Sequence, residues 1–260
     1  MINIKDIASK IFTAENQSLC RCKAGHDFCI QCCKCRADYA DQMPDDFSNI
    51  NKYIDHTILK ANATYDEVIN ICLEADKYNF KSVCVNPFFI ETIKKHLIKP
   101  ELCTVVGFPL GANKTEVKLF ETQLAIKDGA TEIDMVINNT ELRNRNITEV
   151  LEEITKIATL CTSNNVLLKV IIETCLLTAE EIIIACLISK KAGADFVKTS
   201  TGFSTKGAEI ENVNLMRQTV GTKMGVKASG GIRTKADVLA MLKAGANRLG
   251  TSNSVGIINE

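Results

Sequence analysis

The chain has 260 residues, 46% of them hydrophobic, and its 31 basic residues balance 31 acidic ones. This length suits one α/β barrel or two small domains, and a net charge of zero excludes the broad basic field that gathers nucleic acid or anionic lipid. No apolar run reaches about 18 residues and the N-terminus lacks the features of a secretory signal. We therefore expect a cytoplasmic protein. Phosphate binding would depend on a few residues at one site rather than on a broad basic surface.

The first predicted element is an amphipathic helix within residues 2–13. Its apolar residues share one helical face: Ile4, Ile7, Ala8, Ile11 and Phe12. Two interpretations fit this helix. It packs against the bottom of the following domain, or it is an interaction tag similar to the encapsulation peptides that bind shell proteins of bacterial microcompartments.

A cysteine-rich segment and a polar, acidic connector follow, so we divide the chain into an extension of residues 1–51 and a domain of residues 52–260. Six of the 12 cysteines lie within residues 20–35. The candidate metal ligands, of which a subset would bind, are Cys20, Cys22, His26, Cys29, Cys32, Cys33 and Cys35. Zinc or another thiophilic metal, an iron–sulfur cluster, and unligated thiols or disulfides all remain open. The other six cysteines are scattered through apolar segments, where we expect them to act as small hydrophobic residues.

From residue 52 onward, short β-rich runs alternate with amphipathic helical patterns. Eight strands are predicted, at residues 53–57, 82–86, 103–108, 132–137, 167–173, 196–201, 225–230 and 248–252. Gly129, Gly193 and Gly245 are expected to cap helices in the left-handed conformation. Eight βα repeats predict a TIM (β/α)8 barrel with its site at the carboxyl ends of the strands. An open doubly wound sheet is disfavoured, because no glycine-rich turn follows the first strand.

Two lysines lie near the ends of neighbouring predicted strands. If Lys198 points into the barrel, Phe196 and Ser200 do so too, and an inward Lys227 brings Ser229 with it. Two ammoniums about 5 Å apart repel by roughly 3 kcal/mol, which corresponds to a pKa lowered by about two. We therefore expect one amine to titrate near neutrality and to attack a carbonyl, unless both are ordinary surface lysines.

Strands one, four and five add buried polar candidates. Asp134 interrupts an otherwise apolar strand, and a buried carboxylate needs a cation or hydrogen bonds, which the two lysines would supply. The alternative is a structural aspartate that caps a loop. Asp55, Thr57, Lys169 and Glu173 are weaker candidates, and we interpret His56 as a structural residue rather than a base.

Small residues after the last three strands predict a phosphate site. Thr201 and Gly202 follow strand six, whereas Ser229, Gly230 and Gly231 follow strand seven. The Gly250-Thr251-Ser252 sequence follows strand eight. In barrels of this kind, backbone N–H groups at these positions frequently hold a phosphate.

These segments together resemble the deoxyribose-phosphate aldolase family over residues 53–256. The motifs that carry the resemblance are IDHTILKANAT, SVCVNPFFI, VVGFPLGANKTEVK, EIDMVIN, KVIIET, DFVKTSTGFST, VKASGGIRT and the closing GTS. The resemblance implies a class I aldolase that needs no cofactor for catalysis. Such an enzyme reversibly cleaves 2-deoxy-D-ribose 5-phosphate to D-glyceraldehyde 3-phosphate and acetaldehyde, in deoxyribonucleotide catabolism, and is expected to form a homodimer or homotetramer.

The resemblance also implies residue roles. Lys198 corresponds to the Schiff-base lysine, Lys227 to the second lysine and Asp134 to the acid/base. The polar residues that correspond to the surroundings of the substrate hydroxyls are Asp55, Thr57, Lys169 and Thr201. The residues that correspond to the phosphate site are Gly202, Gly230, Gly231, Gly250 and Ser252.

Two departures, Lys206 and Asn253, leave the geometry of that phosphate site open. Lys206 would add a cation near the phosphate, and Asn253 can still donate a hydrogen bond to it. Two alternative functions remain: another Schiff-base sugar-phosphate aldolase of the transaldolase type, or a metal- or redox-sensing protein without activity.

Overall fold

The computed structural model describes residues 3–12, 47 and 49–260. The seven candidate metal ligands between Cys20 and Cys35 lie outside these residues. Eight parallel strands close into one barrel in sequence order, with helices between them. The predicted TIM barrel is confirmed.

The strands occupy the predicted places, with small shifts at their ends. They are β1 (Ile54–Ile58), β2 (Ser82–Val85), β3 (Glu101–Val106), β4 (Glu132–Val136), β5 (Leu167–Ile171), β6 (Phe196–Lys198), β7 (Gly225–Ser229) and β8 (Arg248–Thr251). The largest differences are in β5 and β6, which are shorter than predicted. Glu173 has a φ of 55° and turns the chain into a short 3₁₀ helix, and its carboxylate accepts a hydrogen bond from the backbone N–H of Thr201. The polar residues beyond Ile171 and Lys198 therefore form loops at the barrel mouth.

The helices are α1 (Ile4–Ile11), α2 (Tyr65–Tyr78), α3 (Ile90–His96), α4 (Thr115–Asp128), α5 (Asn139–Arg143), α6 (Ile147–Ser163), α7 (Ala179–Ala192), α8 (Ile210–Val220), α9 (Lys235–Lys243) and α10 (Ser254–Ile258). Capping boxes start three of them, at Thr64, Thr178 and Thr234. Among the predicted glycine caps, Gly193 is left-handed, Gly129 caps α4 with a φ of 122°, and Gly245 lies one residue beyond the cap of α9.

Alternation along each strand separates an apolar outer layer from a polar lumen. Val197 packs in the core between strands and helices, whereas Phe196 and Lys198 face the lumen. A Cβ atom at Gly225 would lie 2.1 Å from the Phe196 ring, so glycine at this position gives the ring its space. The ring also lies 5.3 Å from the guanidinium of Arg248. The predicted orientation of β6 is confirmed.

The N-terminal helix α1 packs on the outer flank of the barrel, against α7. Ile7, Ala8 and Phe12 are buried there, and the Lys191 ammonium lies 4.4 Å from the centroid of the Phe12 ring. The expected packing on the domain is therefore present, but on a helix rather than across the bottom of the strands. Within residues 3–12 and 49–260, no helix is long and apolar enough to cross a membrane.

Candidate active site

A buried ion-pair network fills one side of the lumen, and we call it the charged wall. Its members come from β1 and from β4 to β8: Asp55, Glu132, Asp134, Lys169, Lys198, Lys227 and Arg248. Each of these side chains is at most 3% exposed. Charge pairing on this scale is what allows ionised groups to be buried at all.

Asp134 is the centre of the charged wall. Its Oδ2 atom accepts hydrogen bonds from Lys198 Nζ at 2.7 Å and Lys227 Nζ at 2.8 Å. Its Oδ1 atom accepts one from Lys169 Nζ at 2.8 Å. Burial alone would raise the pKa of Asp134, but the three ammoniums together hold it well below its ordinary value. The aspartate is therefore a carboxylate in the resting site.

Repulsion between the two lysines was expected to lower the pKa of one of them, but the pKa of Lys227 is raised. Lys198 and Lys227 are register partners on β6 and β7, as predicted, but both amines point at one carboxylate oxygen. Lys227 also forms an ion pair with Asp55, so its pKa is raised despite burial. Mutual repulsion therefore does not bring Lys227 near neutrality, because two carboxylates compensate its charge.

The charge count of the wall leaves one cation in excess. Four cations, three lysines and Arg248, face the three carboxylates Asp55, Glu132 and Asp134. Lys169 and Lys227 each contact at least two carboxylates, whereas Lys198 contacts Asp134. Within the charged wall, Lys198 is therefore the lysine with the fewest carboxylate partners.

A cleft of about 390 Å³ opens above the charged wall at the carboxyl ends of the strands. Lys198 lies at its base. Every residue predicted for the phosphate site lines it, as do two of the predicted substrate-binding residues: Thr57, Thr201, Gly202, Gly230, Gly231, Gly250 and Ser252. The other two, Asp55 and Lys169, are fully buried in the wall beneath and do not line the cleft.

Glycine is required at two places around the cleft. Gly230 has a φ of 82°, and a Cβ atom there would lie 2.9 Å from Gly207 Cα. A Cβ atom at Gly250 would lie 3.2 Å from Lys227 Cε. The first glycine lets two loops approach each other, and the second leaves room for the Lys227 side chain.

Comparison with known proteins assigns the barrel to a family. Residues 50–258 match the model of the DeoC/LacD family aldolases. The chain belongs to this family. It is 53% identical over 212 residues to a deoxyribose-phosphate aldolase of Clostridium novyi, covering 81% of this chain and 95% of that protein. It is 55% identical over 211 residues to deoxyribose-phosphate aldolase 1 of Vibrio vulnificus, covering 80% and 95%.

Solved structures agree with this assignment. A putative deoxyribose-phosphate aldolase from Coccidioides immitis is 36% identical, with a TM-score of 0.81 over 99% of this chain and 97% of that one. The deoxyribose phosphate aldolase of Aeropyrum pernix, described as tetrameric, is also 36% identical. Its TM-score is 0.75 over 81% of this chain and 89% of that one.

Several residues of this aldolase site were missed by the sequence reasoning. Glu132 and Arg248 complete the charged wall, and Arg233 lines the cleft. Strand alternation could have found Glu132, which lies two residues before Asp134, and Arg248, which lies two residues before Gly250. Arg233 carries no comparable signal, because it lies in a loop.

The departures from the family pattern lie in different places. Lys206 is exposed, forms an ion pair with Glu209 and does not line the cleft. Asn253 does line the cleft, and its side-chain amide donates to the Arg233 carbonyl. His56 contacts Ser254 and Glu74, and burial lowers its pKa, which agrees with the expected structural role.

The opposite side of the lumen carries thiols and apolar groups, and we call it the thiol wall. It consists of Cys84, Cys103 and Val105 on β2 and β3, in contact with Leu59 and Phe108. Cys103 Sγ lies 3.3 Å from both Asp134 Oδ1 and Lys169 Nζ. The expectation that scattered cysteines act as small hydrophobic residues holds for the buried Cys72, Cys161 and Cys186 but not for Cys103.

Proposed function

We propose that this protein is a class I deoxyribose-phosphate aldolase that works through a Schiff base on Lys198. The observation that carries the proposal is the position of Lys198. Its amine lies at the base of a cleft, contacts Asp134, and faces loops rich in glycine and hydroxyl groups. Identity of 53% to an aldolase over 95% of its length supports the same substrate, 2-deoxy-D-ribose 5-phosphate.

The reaction begins when Lys198, as a neutral amine, attacks the C1 aldehyde of the open-chain sugar. A carbinolamine forms, and loss of water gives an iminium that withdraws electrons from C2. Asp134 contacts the Lys198 amine directly, so it can accept and return protons at this nitrogen. Once the amine is part of the imine, Lys227 remains as the ammonium that stabilises the Asp134 carboxylate.

Cleavage then breaks the C2–C3 bond. The C3 hydroxyl loses its proton, C3 becomes the aldehyde of glyceraldehyde 3-phosphate, and the electron pair moves into the iminium to give an enamine. Protonation of the enamine at its terminal carbon and addition of water release acetaldehyde and regenerate Lys198. Asp134 and an ordered water would carry these protons, since hydrogen-bond reach is the first requirement for acid–base catalysis.

The remaining cleft residues would position the substrate. Gly202, Gly230, Gly231, Gly250 and Ser252 would hold the phosphate, with Arg233 as the nearby cation. Thr57 and Thr201 line the cleft and would contact the sugar hydroxyls. Asp55 and Lys169 would act below the cleft, by fixing Lys227 and Asp134 through ion pairs.

Borohydride trapping tests this function. Incubation with acetaldehyde and borohydride should add a two-carbon ethyl group to Lys198, detected by peptide mass spectrometry, and Lys198→Ala should show no adduct. Absence of this adduct in the wild-type protein contradicts the acetaldehyde reaction. An adduct that forms only with a ketone donor supports the transaldolase-type alternative instead.

Assembly is a further part of the proposal. A homodimer or homotetramer is supported by the tetrameric Aeropyrum pernix relative. It is also supported by an apolar stripe on α4, where Val117, Phe120 and Leu124 are each at least 42% exposed. Analytical ultracentrifugation of the wild type and of Phe120→Glu tests this, with a lower oligomeric state expected for the variant.

The extension of residues 1–51 is proposed to be an accessory module. Catalysis would need no cofactor, and zinc at a subset of the N-terminal thiols would be structural. Aldolase activity should therefore persist with a strong chelator, both in the full chain and in a protein beginning at Phe47. If the extension directs the enzyme into a microcompartment, only the full chain should co-sediment with shell proteins.

A further inference from the structure

Cys84 and Cys103 face each other across neighbouring strands of the lumen. They are register partners on β2 and β3, and both are fully buried. Register partners on adjacent strands lie about 4.8 Å apart at Cα, within the range of about 4.4–6.8 Å that a disulfide can span. Their sulfur atoms and a carboxylate oxygen of Asp134 all lie within 4.8 Å of one another.

Two sulfurs and a carboxylate also have the composition of a thiophilic metal site. The surroundings argue against this use, because three ammoniums already contact Asp134 and the charged wall has one cation in excess. A divalent cation would have to displace them. The same excess of positive charge favours a thiolate, which is the reactive form of cysteine.

The two thiols are not equivalent. The neighbouring Cys103 side chain lowers the pKa of Cys84, whereas burial holds the pKa of Cys103, which donates to Asp134, well above its ordinary value. Cys84 is thus suited to react first and Cys103 to react second. This is the arrangement of an attacking thiol beside a resolving one.

A small reagent can approach the pair from the cleft. Thr57 lines the cleft and is the register partner of Cys84 on the neighbouring strand β1. Leu59 also lines the cleft and packs in the same cluster as both thiols. The pair therefore lies beside residues that line the cleft, and we expect a small oxidant to reach it through a local movement of these side chains.

We infer that Cys84 and Cys103 of the thiol wall are a redox-active dithiol. A hydroperoxide oxidises it to a disulfide, and a dithiol reductant restores it. Cys84 sulfur attacks the peroxide, so that an S–O bond forms, the O–O bond breaks and water or an alcohol leaves. Cys103 sulfur then attacks Cys84, the S–S bond forms and the S–O bond breaks, releasing water. Two electrons pass from the thiols to the peroxide.

Oxidation would alter the centre of the charged wall. The Cys103 thiol lies within hydrogen-bond distance of both Asp134 and Lys169, and a disulfide removes its proton and draws its sulfur toward Cys84. Asp134 is the proposed acid/base, so loss of this contact in the transition state is expected to lower the rate by at least about tenfold. This consequence for activity rests on the proposed aldolase function, whereas disulfide formation does not.

The test treats the full chain with hydrogen peroxide and maps its peptides by mass spectrometry without reduction. A linked Cys84–Cys103 peptide that disappears with dithiothreitol is expected, and its absence overturns the inference whether or not the protein is an aldolase. Acetaldehyde trapping on Lys198 in the reduced protein judges the proposed function separately.

Three variants test whether oxidation of the dithiol lowers aldolase activity. The activity of each protein after peroxide treatment is compared with its own activity in the presence of reductant. The wild type should lose at least about tenfold on oxidation and recover on reduction. Cys175→Ser should lose and recover activity like the wild type because it keeps the dithiol. Cys84→Ser and Cys103→Ser should keep their activity when hydrogen peroxide is added. Equal loss in the last two variants, or loss that reductant does not reverse, contradicts the inference and points to other cysteines of the chain.

Discussion

The charged wall and the thiol wall face each other across one lumen and differ in almost every physical property. The charged wall is a connected ion-pair network in which Asp134 contacts three ammoniums. The thiol wall consists of Cys84, Cys103 and Val105, packed against Leu59 and Phe108. The difference teaches that the barrel separates its ionised groups from its apolar ones, so that the Lys198 amine lies beside the Asp134 carboxylate while β2 and β3 present thiols and apolar groups.

The strongest test of this contrast is loss of the proposed nucleophile. Lys198→Ala should lower aldolase activity by about four orders of magnitude or more, because the proposed imine forms on this amine. Val105→Ala on the thiol wall is the matched control and should keep activity within about tenfold. Steady-state cleavage of deoxyribose 5-phosphate measures both, and comparable losses in the two variants would remove the distinction between the walls.

The next test compares the walls in stability. Asp134→Asn leaves the ammoniums of Lys169, Lys198 and Lys227 without their shared carboxylate, so we expect it to cost about 3–5 kcal/mol in the free energy of unfolding. Cys103→Ala removes a thiol at the edge of the same network and should cost about 1–2 kcal/mol. Urea denaturation gives both values, and the reverse order would show that Asp134 is not the structural centre.

Acid should weaken the charged wall selectively. The pKa values of Asp55 and Asp134 are both lowered in the folded protein, because neighbouring cations outweigh the effect of burial. Their contribution to stability is complete above the unfolded-state pKa of about 3.9 and is lost as the pH falls below it. The melting temperature should therefore decline slightly below about pH 6.5, where the lowered pKa of the buried His56 opposes its protonation, and fall steeply below about pH 4.

Asp134→Asn provides the control for that acid transition. It removes one of the two carboxylates, so its melting temperature should decline less steeply over the same acidic range. An identical slope in the variant and the wild type would mean that carboxylates elsewhere in the chain dominate acid unfolding.

The smallest effect is expected in the proposed phosphate loops, which belong to neither wall. Gly230→Ala places a Cβ atom 2.9 Å from Gly207 Cα and should raise KM for deoxyribose 5-phosphate by about tenfold. Trapping of acetaldehyde on Lys198 should stay intact. Gly193→Ala shares the positive φ but meets no atom within 4 Å, so it should leave KM unchanged.

The sequence predicts the barrel and its central residues because buried charge is conspicuous in apolar strands. Lys198, Lys227 and Asp134 each interrupt such a strand, and the structure brings their side chains together. The direction of the Lys227 pKa could not be predicted in this way. It depends on Asp55, which is far from Lys227 along the chain. Asp55 becomes a neighbour of Lys227 only when the barrel closes through the pairing of β1 with β8.

The thiol wall illustrates a second limit of sequence reasoning. Cys84 and Cys103 are separated along the chain and each lies in an ordinary apolar run, so neither is distinguishable from the core cysteines Cys72 and Cys186. Only the pairing of β3 with β2 on one side and with β4 on the other, which places Cys103 beside both Cys84 and Asp134, gives the pair its polar surroundings.

Phe196, which occupies the space beside Gly225 under the Arg248 guanidinium, also bears on the order of events in the catalytic cycle. The ring and the guanidinium are fully buried and close the lumen from below. Lys198 therefore lies at the closed end of a cleft whose outer part is lined by the proposed phosphate loops. If the two-carbon unit is bound to Lys198 as proposed, we expect the phosphorylated three-carbon product to leave first, because it lies between that unit and the open end of the cleft.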